Sequence, residues 1–349
     1  MKLFIKRNRI YFGLLSLLLI QVLFSIMNSA NVVSFFYLPY VYHWIGNVMA
    51  WVSGFITVSL WDIFWLLLVV YLVFGSIGVL FFRRYRKRYV RTLLLVVLIA
   101  ANWFYISWGY CYGRSPIDKE LNIEVEGLQN EDFVAAYNKI VSDISNMDSV
   151  DWNTMSNDSL IRVYRDGLSR LSIPLFVTPR RIKTMTFSRL YIQSGVLGYF
   201  GPFFNEVHIN GYLYEKDYPF VVFHELSHQQ GVGSERDCNF IAFALSCDHP
   251  DPSIRYSAYL NILPFFINYF YSFPKEQRRG LFDQLPKYVI EDLKSRRKWY
   301  NEQSNEVAST IQSKANDVYL KSNGVTDGVM DYGRYFGMVV SWINRYKHQ

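Results

Sequence analysis

The 349 residues combine 51% hydrophobic and 18% aromatic content with a formal net charge of +7, enough chain for one sizeable folded domain plus an apolar remainder. The charge does not describe a nucleic-acid binder: ten of the 36 basic residues fall before position 110, where only Asp62 opposes them, and the other 26 face 28 acidic residues, leaving Gly109 to Gln349 at −2. Cys111, Cys238 and Cys247 make neither a CxxC pair nor a spaced framework, which excludes a disulfide scaffold and a cysteine-ligated metal.

The chain begins with membrane-like sequence. Three uncharged runs, 10–27 ("IYFGLLSLLLIQVLFSIM"), 63–82 ("IFWLLLVVYLVFGSIGVLFF") and 92–108 ("TLLLVVLIAANWFYISW"), approach the roughly 20 residues that cross a bilayer as helix. They predict three transmembrane helices. A cleaved signal peptide fits the first run poorly, because a cut after Ala30 would put Asn28 where a small residue is expected. Residues 31–60 carry no charge but hold Pro39, His43, Asn47 and several aromatics. A fourth span there would leave only Trp61 and Asp62 as a loop and would translocate "RRYRKRYVR" against the positive-inside rule, so the expectation is an aromatic segment lying at the outer interface. With "MKLFIKRNR" and "RRYRKRYVR" both inside, three spans place everything after Trp108 outside the cytoplasm. The division is a membrane domain over 1–109 and one soluble domain over 110–349.

In the soluble part, helix-period stretches run near Glu131 to Met147, Asp158 to Ser172, Pro286 to Asn301 and Val307 to Lys321, and "SIPLF" and "NEVHIN" look like short strands. The expected class is α+β and mostly helical, with a small sheet. No internal repeat divides it.

The stretch "PFVVFHELSHQQGVGSERDCNF" carries the chemistry. Pro219 suits the first turn of a helix, and residues four apart share a face, so His224 and His228 can offer two imidazoles to one ion with Glu225 beside them. Ordinary core histidines are the plainer explanation of any single His, but two at this spacing around a Glu favour a metal. A hydrolytic zinc site needs a third protein ligand and an open position for water. Gly231 and Gly233 end the helix, and Ser234 can cap a second one with Asp237 at the capping-box position. Folding back, that helix would aim Glu235 at the imidazoles, with Asn239 four residues on able to hydrogen-bond a ligand. Asp237 is the competing carboxylate but faces elsewhere and already has a capping role; His249 and Glu206 are remoter candidates. Upstream, Glu206, His208 and Asn210 alternate with Val207 and Ile209, as on a strand edge that could pair with an extended substrate. Tyr256 and Tyr332 are candidate donors to a developing oxyanion.

The combination of "GVLGYFGPFFNEVHIN", "FHELSHQQG", "SERDCNFIAFA", "IRYSAYLN" and "NDVYLKSNGVTDGVMDYGRYFGMVVSW" behind N-terminal spans resembles an uncharacterised bacterial family of membrane-anchored HExxH proteins, domain of unknown function 3810, over nearly the whole chain. Its members typically read Glu-Asp-Glu-Ala-Asn-Phe where this chain has "ERDCNF"; Glu235 and Asn239 match, while Asp237 and Cys238 depart. HExxH followed by Glu-x-x-x-Asn is also similar to the gluzincin metallopeptidases. The resemblance implies a zincin-like fold and a bacterial inner-membrane zinc metallopeptidase with its domain in the periplasm. In that reading His224, His228 and Glu235 hold Zn2+, and Glu225 is the general base toward a peptide or protein of the cell envelope. A non-catalytic zinc-containing envelope binding or sensor protein is the alternative from another class. A membrane scaffold with no metal is the third.

Overall fold

The computed structural model describes residues 9–29, 32–147, 155–322 and 332–346. The N-terminal third is helical: α1 (Arg9–Ser29), a π-helical segment (Val33–Tyr42) wound around Pro39, α2 (His43–Gly54), α3 (Leu60–Phe81) and α4 (Arg86–Ser107). Two stretches, Leu60–Phe81 and Arg83–Ser107, are long and apolar enough to cross a membrane. None of the apolar window of the first is buried, so it is not the core helix of a soluble domain, where such a face would have to be covered.

Here the expected count of three spans is corrected to two among the described residues. α1 is a full helix, but its apolar stretch runs only from Phe12 to Phe24, short of a crossing. It packs on α4, with Leu98 against Gly13 and Phe24 against Tyr105.

The uncharged segment between α1 and α3 docks one face on the rest of the protein. Asn47 Nδ2 donates to the Phe176 carbonyl (2.8 Å) and its Oδ1 accepts from Thr178 N–H (3.0 Å), while Tyr42 Oη donates to the Gln229 carbonyl (2.8 Å). The opposite face leaves Phe35, Trp44, Trp51 and Phe55 exposed.

A short 3-10 turn (Gly109–Gly113) leads into the helical domain: α5 (Ile117–Glu120), α6 (Asn130–Ser145), α7 (Asn157–Arg170), then β1 (Ile182–Thr184), α8 (Ser188–Gln193), β2 (Gly198–Gly201) and β3 (Glu206–Ile209). The remainder is α9 (Tyr218–Gln229), α10 (Glu235–Ser246), α11 (Pro252–Phe270), α12 (Lys275–Phe282), α13 (Lys287–Gln303), α14 (Glu306–Ser322) and α15 (Tyr332–Tyr346). The described residues are thus mostly helical with one three-stranded sheet.

"SIPLF" is not a strand. Pro174 has no N–H to give a ladder, and Gln230 takes the strand's place: its Oε1 accepts from Phe176 and Val177 N–H (2.9 and 3.0 Å) and its Nε2 donates to the Val177 carbonyl (2.8 Å). The sheet order is β1-β3-β2, with β1 parallel and β2 antiparallel to the central β3. Against it packs α9, whose other sides meet α7, α10 and α11 in a core built of Phe223, Phe240, Phe243, Tyr259 and Phe266, all fully buried. At roughly 1.5–3 kcal/mol for each such side chain, this core holds α9 in place.

Candidate metal centre

α9 starts where Pro219 presets φ in the first turn and stops at Gly231, whose φ of +77° is left-handed and costs little only without a Cβ. A Cβ there would also lie 2.7 Å from Leu38. Three residues later Ser234 caps α10, its Oγ accepting from Asp237 N–H (3.3 Å). The two helices therefore meet at a tight corner. His224, His228 and Glu235 are brought to one point, where one ligand atom from each lies within 4.8 Å of the others. Among the described residues this is the one such cluster of three.

The ring orientations are set from behind. His228 Nδ1 lies 2.8 Å from the Val232 carbonyl, which can only accept, so that nitrogen carries the proton and Nε2 faces forward. His224 Nδ1 lies 2.8 Å from Asn239 Oδ1 in the same arrangement. The forward atoms converge on Glu235: His224 Nε2 is 3.1 Å from Oε2 and His228 Nε2 3.6 Å from Oε1. Tetrahedral zinc with bonds of about 2.0–2.1 Å has ligand-to-ligand edges of about 3.3 Å. The donor set and its spacing fit zinc with a fourth position left open.

Charge tells the same story for the protein without an ion. Burial opposes protonation of His228, but Cys238 and Glu235 outweigh it and raise its pKa well above the usual value. Burial would raise Glu235, yet the two imidazoles pull its carboxyl well below the usual range. The pair is built for a positive charge between its members, a proton or a dication.

Glu225 sits beside them, 5% exposed, with Oε2 lacking any protein partner. Desolvation pushes its pKa up to about 7, against the pull of His224 and His228. Its Oε1 lies against Gly198 of β2, where a Cβ would stand 2.5 Å away. His224, Glu225, His228 and Glu235, with Gly198 and Asn239, line one cavity of about 570 Å³, which continues past Trp108, Phe200, Asn261 and Tyr335.

The other sequence candidates lie elsewhere. Asp237 faces away: it is buried, accepting from Ile117 N–H (3.2 Å) and Arg236 Nε (2.9 Å). His249 Nδ1 accepts from Asp251 N–H (3.0 Å) within its own turn. Tyr256 is not an oxyanion donor at this cavity, because its buried hydroxyl is committed to Asp292 Oδ2 (2.6 Å). Tyr332 opens α15, and its side chain lies outside the described residues. The substrate-edge reading of Glu206, His208 and Asn210 is corrected as well, since β3 is paired on both sides and has no free edge. Glu206 is bound to Lys183 and accepts from Leu60 and Trp61 N–H (3.3 and 3.0 Å). His208 stacks on Tyr199 (centroids 4.4 Å), and Asn210 Nδ2 donates to the Ser188 and Val196 carbonyls (both 2.9 Å). The edge strands are β1 and β2, and it is β2 whose Gly198, Tyr199 and Phe200 line the cavity. Sequence reasoning missed β2 because "GYFG" is too short and Gly-rich to show alternation, and it missed Tyr335, one helical turn beyond Tyr332.

Fold and site together define a mostly helical protein with an HExxH helix whose histidines face a carboxylate from the next helix. Over residues 37–340 the sequence matches the family described as "Protein of unknown function (DUF3810)", and the chain belongs to it. No curated protein and no solved structure matches the chain.

Proposed function

We propose that this protein is a membrane-anchored zinc metallopeptidase, gluzincin-like in its ligand set, whose domain faces the periplasm. The observation that carries the reading is the buried Glu225 carboxylate, with one oxygen unpartnered, beside three converging metal donors in an open cavity. A purely structural zinc site uses four protein ligands and has no need of such a neighbour.

His224, His228 and Glu235 would hold the ion. Zinc bound there supplies a Lewis acid that polarises a carbonyl and acidifies water. Glu225 accepts a proton from the attacking water at Oε2 and delivers it to the leaving amine; an affinity near neutrality suits both transfers. The β2 edge offers backbone groups for an extended peptide beside Glu225. Asn239 and the Val232 carbonyl hold the imidazoles in one tautomer.

The anchoring comes from α3 and α4. Their connection and the first turns of α4 carry Arg83, Arg84, Arg86, Lys87, Arg88 and Arg91, so the positive-inside rule keeps this end in the cytoplasm and puts the domain outside, whether or not α1 crosses. In a bacterial inner membrane that side would be the periplasm.

The test is Glu225→Gln in the full-length protein. Zinc content, read by elemental analysis, should stay near one per chain, while cleavage of a peptide found by library screening falls by roughly 10²- to 10⁴-fold. Equal cleavage by the variant would overturn the mechanism.

A further inference from the structure

Both apolar hairpin helices end at the walls of the candidate site. Trp108 is the residue that closes α4; its Nε1 donates to the His228 carbonyl (3.0 Å), its ring stands 6.2 Å from the His228 ring, and it lines the cavity. Tyr112, four residues on, lines the same cavity. At the other helix, Trp61 packs on Gly201, the last residue of β2, with ring atoms 3.2–3.3 Å from where a Cβ would be. The β2–β3 turn rests on both spans: Phe203 meets the rings of Trp61 and Phe64 (5.0 and 5.2 Å), and its carbonyl accepts from Trp103 Nε1 of α4 (3.0 Å).

The depth of these contacts follows from helix rise. Arg91 to Trp108 is about 26 Å of helix and Trp61 to Arg83 about 33 Å at 1.5 Å per residue, bracketing the roughly 30 Å hydrocarbon thickness. With the Arg and Lys cluster in the inner headgroups, both tryptophans reach the outer boundary, the level that Trp prefers. Trp44 and Trp51 on the face of α2 turned from the domain, with Phe55 just after that helix, are exposed in the segment that leads into α3 and continue the belt.

We infer that this site acts on polypeptide tethered to the same bilayer, cutting within a few residues of the point where the segment leaves the lipid. The inference rests on the peptidase reading and adds the substrate class. His228 lies one ring contact of 6.2 Å beyond the boundary, an interval that about two extended residues bridge at about 3.3 Å each. A substrate anchored in the membrane meets the site at an effective concentration set by its short spacer, an advantage that a free peptide lacks. Membrane-anchored proteins and lipid-modified peptides share this chemistry, and the anchor type in the assay separates them.

The experiment uses the full-length, zinc-loaded protein in liposomes. A peptide that the wild type cuts is displayed from a lipid anchor or from a transmembrane helix, with proline-rich spacers of about 3, 10 and 20 residues at about 3.1 Å each before the scissile bond. Cleavage at equal surface density should fall at least ten-fold from the shortest to the longest spacer, and Glu225→Gln should remove it throughout. Rates independent of the spacer, or rising with it, overturn the inference. A second measurement needs no activity: a spin label on Tyr112→Cys, the three native cysteines being buried, should relax faster with nickel chelated to lipid headgroups than with nickel chelate in solution. The reverse order overturns the membrane-proximal placement even if peptides are cut. Failure of every peptide with the headgroup result intact overturns the peptidase reading and leaves the placement standing.

Discussion

A carboxyl group at position 225, buried and half unpartnered, disfavours its own charged form in the metal-free protein. The sign of the consequence is fixed by linkage. An acid whose folded pKa is raised from 4.5 to about 7 binds its proton more tightly in the fold, so its favourable contribution is full below the unfolded value and is lost as pH rises through the folded one. After chelation, wild type should therefore lose stability relative to Glu225→Gln between about pH 4.5 and 7, by up to about 3 kcal/mol at 1.36 kcal/mol per pKa unit. Paired denaturation series across that range would show it, and a constant difference would mean that Glu225 is not desolvated as described. The ligand assignment separates at the same scale. Glu235→Ala should lose most bound zinc, whereas Asp237→Ala should keep it while losing roughly 1–3 kcal/mol of stability, because Asp237 holds Ile117 N–H and Arg236 from a buried position. Zinc retention by the first variant and loss by the second would make the third ligand wrong.

At the scale of elements, much of the site was legible in the letters, because it is local. The HExxH spacing on one helix, the Gly231 stop, the Ser234 cap and the placement of Glu235 all follow from rules acting within fifteen residues. Helices at Asn130–Ser145, Asn157–Arg170 and Lys287–Gln303 likewise follow from period and caps. What the letters hid depends on distant partners. Nothing near Gln230 announces that its amide substitutes for a strand beside Val177, and nothing near "GYFG" announces that it is an edge strand over Glu225. Nothing near Tyr256 announces that its hydroxyl is held by Asp292, 36 residues away. Two predictions belong here. Gln230→Ala leaves the buried N–H and carbonyl of Val177 and the part-buried N–H of Phe176 without partners and should cost about 2 kcal/mol or more in unfolding free energy. Gly198→Ala puts a methyl group on the Glu225 carboxylate and should reduce peptide cleavage at least ten-fold with zinc content unchanged; full activity would mean that Glu225 has room to move aside.

The whole molecule joins membrane-like helices to the domain through buried contacts, and its orientation is the property on which compartment and substrate depend. Glu206 of the central strand accepts from the N–H groups of Leu60 and Trp61 at the start of α3, while Trp108 at the end of α4 donates to His228. A carboxylate at a helix N-terminus is a favourable pairing, so the outer end of the hairpin is docked on the sheet. The expected topology is therefore set by α3 and α4 as a unit: their basic connection stays inside, and both docked ends emerge on the far side. The shorter apolar stretch of α1 does not enter that argument. A reporter active only outside the cytoplasm, fused after Trp108, should work, and the same reporter fused at Lys87 should fail. Replacing Arg83, Arg84, Arg86, Lys87 and Arg88 together with Gln should weaken the bias and give a mixed population with the Trp108 fusion, since the basic cluster is the charge that sets it. A Trp108 fusion that behaves as cytoplasmic in the unaltered chain would place the His224, His228 and Glu235 cluster inside the cell and remove the envelope from the proposed function, whatever metal the cluster holds.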